Sequence, residues 1–164
     1  MRKIGLLSDT HGFLDKDILA FLENVDEIWH AGDIGMVQVL ETLQLSKPVR
    51  AVYGNIDNQQ IRSLVPKIQL FSVEDVRVFM VHIGGYPGNY EGTIKSLLKE
   101  SRARIFIAGH SHILKVIPDK DLDLLHLNPG AAGRSGFHQL QTAMRFEIDA
   151  TEIRKLEIYE KPRH

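Results

Sequence analysis

The chain has 164 residues, 43% of them hydrophobic, with no cysteine and a formal net charge of −1. That length suits one domain burying roughly 70% of its unfolded surface, and the missing thiols exclude a disulfide framework and any thiolate-held metal. With no lysine or arginine block, extended nucleic-acid binding through phosphates is not expected, and no apolar run approaches the ~20 residues of a membrane span. The chain starts directly on a strand-like run without the basic and apolar regions of a signal peptide, so a cytoplasmic protein is the expectation.

Ile4, Leu6 and Leu7 form an apolar run without alternation, the pattern of a strand buried on both faces, and it gives way to Asp9-Thr10-His11. On extended backbone, residues two apart point the same way, so Asp9 and His11 are expected to reach one point in space. Ile18, Leu19 and Leu22 recur at helical spacing between Leu14 and Asn24, with Asp15 and Asp17 near the start, where the helix dipole favours carboxylates. Asp26 to His30 reads as a second strand ending in Ala31-Gly32-Asp33. Met36, Val37, Leu40 and Leu43 mark a second helix, and Pro48 opens a third strand, Val49 to Tyr53, which runs into Gly54-Asn55-Ile56-Asp57. Ligand sites of open α/β sheets lie beyond the carboxyl ends of the strands, which places Asp9, His11, Asp33 and Asn55 along one rim.

From Pro66 the rhythm changes to strands with short turns: Lys67 to Ser72, then Arg77 to Val81, leading into the glycine-rich loop from His82 to Gly88. Glu91 to Ser101 reads as a third helix through Ile94, Leu97 and Leu98. Ile105 to Ala108 is a buried strand that delivers Gly109-His110-Ser111-His112. Leu114 to Ile117, Leu122 to Leu127, Ala143 to Ile148 and Glu152 to Tyr159 read as antiparallel strands, the last two joined as a hairpin through Asp149-Ala150-Thr151.

Asp9, His11, Asp33, Asn55, His82, His110 and His112, seven residues at five strand ends, are all of metal-ligand type. One histidine after a strand is ordinarily a hydrogen-bonded loop residue. Seven such residues, each behind an apolar strand and most beside a glycine, point to a metal site built from nitrogen and oxygen, suited to Mn, Fe, Co, Ni or Zn. Tyr86 and Tyr90 offer aromatic faces for a base or aryl group, against the simpler reading of packed loop residues. Arg134 is a phosphate contact or a solvated loop residue. His30 either orients a ligand or is a satisfied core histidine, and His138 reaches the site only if its loop folds back.

In the motifs Asp9-Thr10-His11, Gly32-Asp33, Gly54-Asn55 with Asp57, the lone His82, and Gly109-His110-Ser111-His112, the chain resembles the calcineurin-like metallophosphoesterase superfamily. Short length and the lack of a cap sequence make it similar to the small bacterial and archaeal phosphodiesterase branch, which includes a non-enzymatic relative in the retromer coat. The fold implied is α/β, a four-layer α/β/β/α sandwich of two mixed sheets flanked by helices, formed by a single domain over residues 1–164. The implied centre holds two divalent metal ions, manganese favoured. Asp33 bridges them, with Asp9, His11 and His112 on one ion and Asn55, His82 and His110 on the other. Such ions lie ~3.5–4 Å apart, and residues two apart in extended chain are about 7 Å apart, which lets His110 and His112 serve one ion each.

The function implied is hydrolysis of small phosphodiesters, extending to monoesters, by hydroxide activated between the ions and without a covalent enzyme intermediate. Asp33, Asn55, Asp57 and His82 carry the implied catalysis, Asp57 by orienting a ligand. The competing class is a catalytically silent scaffold of the same fold that binds a protein partner. Edge strands of the C-terminal half are candidates for pairing into a homo-oligomer. Three positions depart from the family pattern. Ile56 stands where many larger members carry a proton-donating histidine, Ile83 where glycine often follows the loop histidine, and Ala131 where serine often ends Asn-Pro-Gly-Ser.

Overall fold

The first strand explains the layering. In the computed structural model, which describes residues 1–164, β1 (Arg2–Leu7) turns Ile4 and Leu6 into an apolar layer shared with a second sheet and Leu7 into a layer beneath helices. A strand apolar on both faces is one covered on both faces. Gly5 lies under α1 (Lys16–Phe21) and the turn after it. A Cβ there would come within 2.6 Å of Leu22, so the helical segment sits flush on the strand.

The first sheet runs β12-β11-β1-β2-β3, formed by β2 (Glu27–His30), β3 (Val49–Ala51), β11 (Leu140–Asp149) and β12 (Glu152–Pro162) around β1. β1, β2 and β3 are parallel, and β11 returns antiparallel against β1. The second sheet runs β4-β5-β8-β10-β9, from β4 (Ile68–Val73), β5 (Val76–Val81), β8 (Ile105–Ile107), β9 (Leu114–Asp119) and β10 (Leu124–Pro129). Trp29, Val78, Met80, Ile107, Leu127 and Met144 interdigitate between the sheets. On the outer face of the first sheet lie α1, α2 (Val37–Gln44) and α3 (Gln59–Leu64), which contribute Ile18, Leu40, Leu43 and Ile61. On the outer face of the second, α4 (Gly92–Ser101) packs Ile94 and Leu98 on Phe79 and Phe106. Three separate apolar layers make the four-layer α/β/β/α sandwich that the resemblance implies.

Some local expectations change. α3 is a helix absent from the periodicity reading, because its six residues bury only Ile61. Its signal was the cap, where the Asn58 side chain accepts from the Ile61 N–H at 3.0 Å. β10 is not purely antiparallel: it pairs antiparallel with β9 and parallel with β8. The glycine-rich loop contains a two-residue hairpin, β6 (Gly85–Tyr86) with β7 (Asn89–Tyr90). No helix is long and apolar enough to cross a membrane.

Candidate metal centre

The turns after β1, β2, β3, β5 and β8 gather along one rim, and two clusters of donors form there. Asp9, His11 and His112 bring one ligand atom each within 4.8 Å of one another, and so do Asp33, His82 and His110. Asp33 Oδ2 lies between the clusters, 3.4 Å from His11 Nε2 and 3.2 Å from His82 Nε2. Asn55 is exposed at the rim and lines the recesses on either side of it.

The backbone that delivers these groups is not extended, which corrects the expectation from strand geometry. Asp9, His11, Asp33, His110 and His112 all have positive φ, between 47° and 71°. In such left-handed turns the side chains converge through bending of the chain. The turns are fixed from neighbouring turns: Asp9 N–H donates to Gly32 O at 2.9 Å, His11 N–H to Asp33 O at 3.0 Å, and Gly109 N–H to His82 O at 3.0 Å. Two glycines permit the close approach. A Cβ on Gly32 would meet His82 at 2.7 Å, and one on Gly54 would run into the Asp33 carboxylate.

Each carboxylate has one oxygen held by the protein and one bare. Asp9 Oδ2 accepts from Ser8 Oγ at 2.6 Å and from His110 N–H at 3.1 Å, while Oδ1 faces His112 Nε2 at 3.2 Å. Asp33 Oδ1 accepts from Ile56 N–H at 3.1 Å, which leaves Oδ2 toward the imidazoles. His82 donates from Nδ1 to Ala31 O at 2.8 Å and so turns the lone pair of Nε2 inward. Asp9 Oδ1, His11 Nε2 and His82 Nε2 are buried without hydrogen-bond partners. Buried polar atoms are nearly always satisfied. Three orphans converging on one point, with further nitrogen and oxygen donors around them, fit the donor chemistry of divalent metal.

Electrostatics follow from this crowding. Burial opposes charge on Asp9, but His11 and His112 beside it and the field of His82 hold its carboxyl well below the usual carboxylate range. Burial likewise opposes charge on Asp33, and His11 and His82 outweigh it. The Asp33 and Asp9 carboxylates push His11 up to about 9. For His82 burial works downward, and Asp33 and Asp9 raise it on balance.

Supporting residues surround the rim. Asp57 spends both oxygens on backbone amides, accepting from Ile34 N–H at 3.1 Å and from Gly35 and Gly54 N–H at 2.8 Å each. It thereby ties the turn of Asp33 to that of Asn55. His30 is fully buried: Nδ1 accepts from Gly32 N–H, and Nε2 donates to Thr10 Oγ1, which itself donates to Ile34 O. Burial pushes His30 down to about 4, so it stays neutral and braces the first two turns. Asn128 donates to Gly109 O and Ser111 Oγ, both at 3.1 Å, and holds the turn that carries His110 and His112. Neither Ser8, Thr10 nor Asn128 stood out in the sequence, although Asn128 opens Asn-Pro-Gly. His138 does reach the site, with Nδ1 3.1 Å from His112 Nδ1.

Other candidates are used elsewhere. Tyr90 donates to Asp119 at 2.5 Å, Tyr86 lies under Lys115 Nζ at 3.7 Å, and Arg134 stacks 4.1 Å over the Phe13 ring. Phe137, Ile113 and Ile56 are exposed around one recess beside the centre, and Tyr53, Arg62, Lys67 and Ile83 line another.

Among solved structures, Vps29 of Chaetomium thermophilum superposes with a TM-score of 0.80 at 13% identity, over 97% of this chain and 87% of that one. A structure described as a novel archaeal phosphodiesterase gives 0.72 at 20% identity, over 96% and 99%. These likenesses concern the fold. A probable metallophosphoesterase of Methanothermobacter thermautotrophicus is 32% identical over 133 residues, 78% of this chain and 76% of that protein. Residues 2–151 match the model of the calcineurin-like phosphoesterase superfamily domain, and the chain belongs to that superfamily.

Proposed function

We propose that this protein hydrolyses small phosphodiesters at a two-ion centre held by Asp9, His11, Asp33, Asn55, His82, His110 and His112. The observation that carries the reading is the position of Asp33 Oδ2, 3.4 Å and 3.2 Å from imidazoles of the two separate clusters, where one oxygen serves both. When bound, the ions acidify water to give the nucleophile and neutralise charge on the phosphoryl oxygens.

The chain's own residues set the remaining terms. Asp9 and Asp33 are the only carboxylates in the two clusters, so two divalent ions leave the site positive and attractive to an anionic phosphate. Asn55 offers a carbonyl oxygen without cancelling that charge. His110, exposed at the mouth, stands where a substrate must pass. A diester needs room for two substituents. The recesses on either side of Asn55, about 480 and 440 Å³, provide it within the range of small-molecule sites.

Ile56 is apolar, and Glu91, the one carboxylate outside the clusters in these recesses, caps α4 through Thr93 and Ile94 N–H. With apolar Ile56 where a proton-donating histidine would stand, acidic alcohols such as phenols are the favoured leaving groups. Metal content of the purified protein, together with turnover of a chromogenic aryl diester with manganese and after chelation, tests the reading. Asp33→Ala is expected to lose metal and activity while keeping its fold. Metal-free wild type that manganese does not rescue would transfer the chain to the scaffold class.

A further inference from the structure

His112 is braced unlike His82. His82 gives its Nδ1 proton to a backbone carbonyl, whereas His112 Nδ1 faces another ring nitrogen, His138 Nδ1, at 3.1 Å. Two ring nitrogens at that distance need one proton between them, and the far side of His138 decides which ring carries it. His138 Nε2 lies 2.8 Å from Gly133 O, a group that only accepts, so the His138 proton sits on Nε2 and Nδ1 is a bare acceptor. The shared proton then belongs to His112 Nδ1, and His112 Nε2, 3.2 Å from Asp9 Oδ1, turns its lone pair into the centre.

The loop is shaped for this contact. His138 is 9% exposed. Gly136, at φ +133°, packs so closely over the pair that a Cβ would run into His112 Nδ1 and lie 3.2 Å from His138 Nδ1.

We infer that His138 is a positioning residue that relays the polarity of the Gly133 carbonyl to His112 and fixes the tautomer in which His112 binds a metal ion. This inference rests on the two-ion reading above. It places the loop from Gly133 to His138, outside every motif of the resemblance, in control of one ion and not the other. Partners of ligating histidines typically change metal affinity 10–100-fold when removed.

The test compares wild type with His138→Phe, which keeps ring volume without nitrogens, and His138→Gln, whose amide both donates and accepts. Mn binding is followed by calorimetry with chelator competition, and the His112 nitrogens by 15N NMR of the metal-free and zinc-loaded proteins. Two ions are expected in wild type, with one weakened 10–100-fold in His138→Phe, the other within about threefold, and partial recovery in His138→Gln. The His112 nitrogens are expected to report an Nδ1 proton in wild type and a tautomer mixture in His138→Phe. Equal weakening of both ions, unchanged affinities, or a His112 without an Nδ1 proton in zinc-loaded wild type would overturn the inference and leave the two-ion reading standing. A wild type that binds no ion would remove both.

Discussion

Asp57 separates a tether from an acid. If its work is to hold Ile34, Gly35 and Gly54 N–H, then Asp57→Ala strips three amides of one charged acceptor. Gly35 is half-buried and can recover a water, but Ile34 is fully buried and Gly54 is buried as well. Hydrogen bonds to charged groups contribute about 1.5–3 kcal/mol each. Two lost without replacement cost about 4 kcal/mol, a large share of the 5–15 kcal/mol that holds a typical domain together. Asp57→Asn keeps one carbonyl oxygen but sets its amide against a backbone donor, so about 2 kcal/mol is expected.

Urea unfolding in chelator measures this directly, read as a change of midpoint at constant slope. Hydrogen exchange should show the Ile34 and Gly54 amides losing protection. Both variants should also bind metal more weakly, because the turns of Asp33 and Asn55 are no longer joined, with turnover recovering at high manganese. An acid would behave in the opposite way: Asp57→Asn would be as stable as wild type, with normal metal affinity and turnover that excess metal does not restore. Asp57→Ala within 1 kcal/mol of wild type would refute the tether.

Phe137 is fully exposed beside the centre, and a ring stacked on an aryl substituent contributes about 0.5–1.5 kcal/mol. Phe137→Ala should raise KM for an aryl diester about 3- to 10-fold, leave a methyl diester's KM alone and leave stability unchanged; equal effects on both esters would exclude stacking. Burial lowers His30 and His126 from 6.5 to about 4, so the unfolded chain binds their protons first as pH falls, and the stability they contribute above pH 6.5 is lost on the way down to pH 4. Between pH 7 and 5 each should cost about 2 kcal/mol, and His11 and His82, whose values are raised, add nothing further below 6.5. A urea midpoint of metal-free protein that does not move between these pH values would refute this. At His110, φ 71° favours glycine, so metal-free His110→Gly should be about 0.5–1 kcal/mol more stable than His110→Ala in the same assay, and the reverse order would show that the turn relaxes.

The ligand-type residues are legible because metal chemistry admits few side chains, and because β1 and β8, which deliver four of them, show burial on two faces as unbroken hydrophobicity, as at Ile4, Leu6 and Leu7. Helix α3 is not legible because one buried isoleucine sets no period. The pairing of His138 with His112 spans 26 residues and depends on a loop folding back, which no local pattern encodes. The left-handed backbone of the rim is not legible for a similar reason: the turn at Asp9 is held by Gly32 O and that at His11 by Asp33 O, groups in the turn after β2.

That backbone links the chemistry to the stability of the molecule. A left-handed turn costs a non-glycine residue about 1–2 kcal/mol, so Asp9, His11, Asp33, His110 and His112 together carry about 5–10 kcal/mol of conformational cost, comparable to a domain's entire net stability. Aspartate and histidine are among the few side chains enriched in this region. The residue types that donate to a cation are thus also those that tolerate the turn, and the ligands need no glycine in their own positions. Hydrogen bonds from neighbouring turns hold this strained backbone in place, so the donors are brought together by the protein's own backbone contacts. An ion binding such a preformed site has little chain to order, so its affinity should depend more on the tethers at Asp57, His30 and Asn128 than on flexibility of the rim.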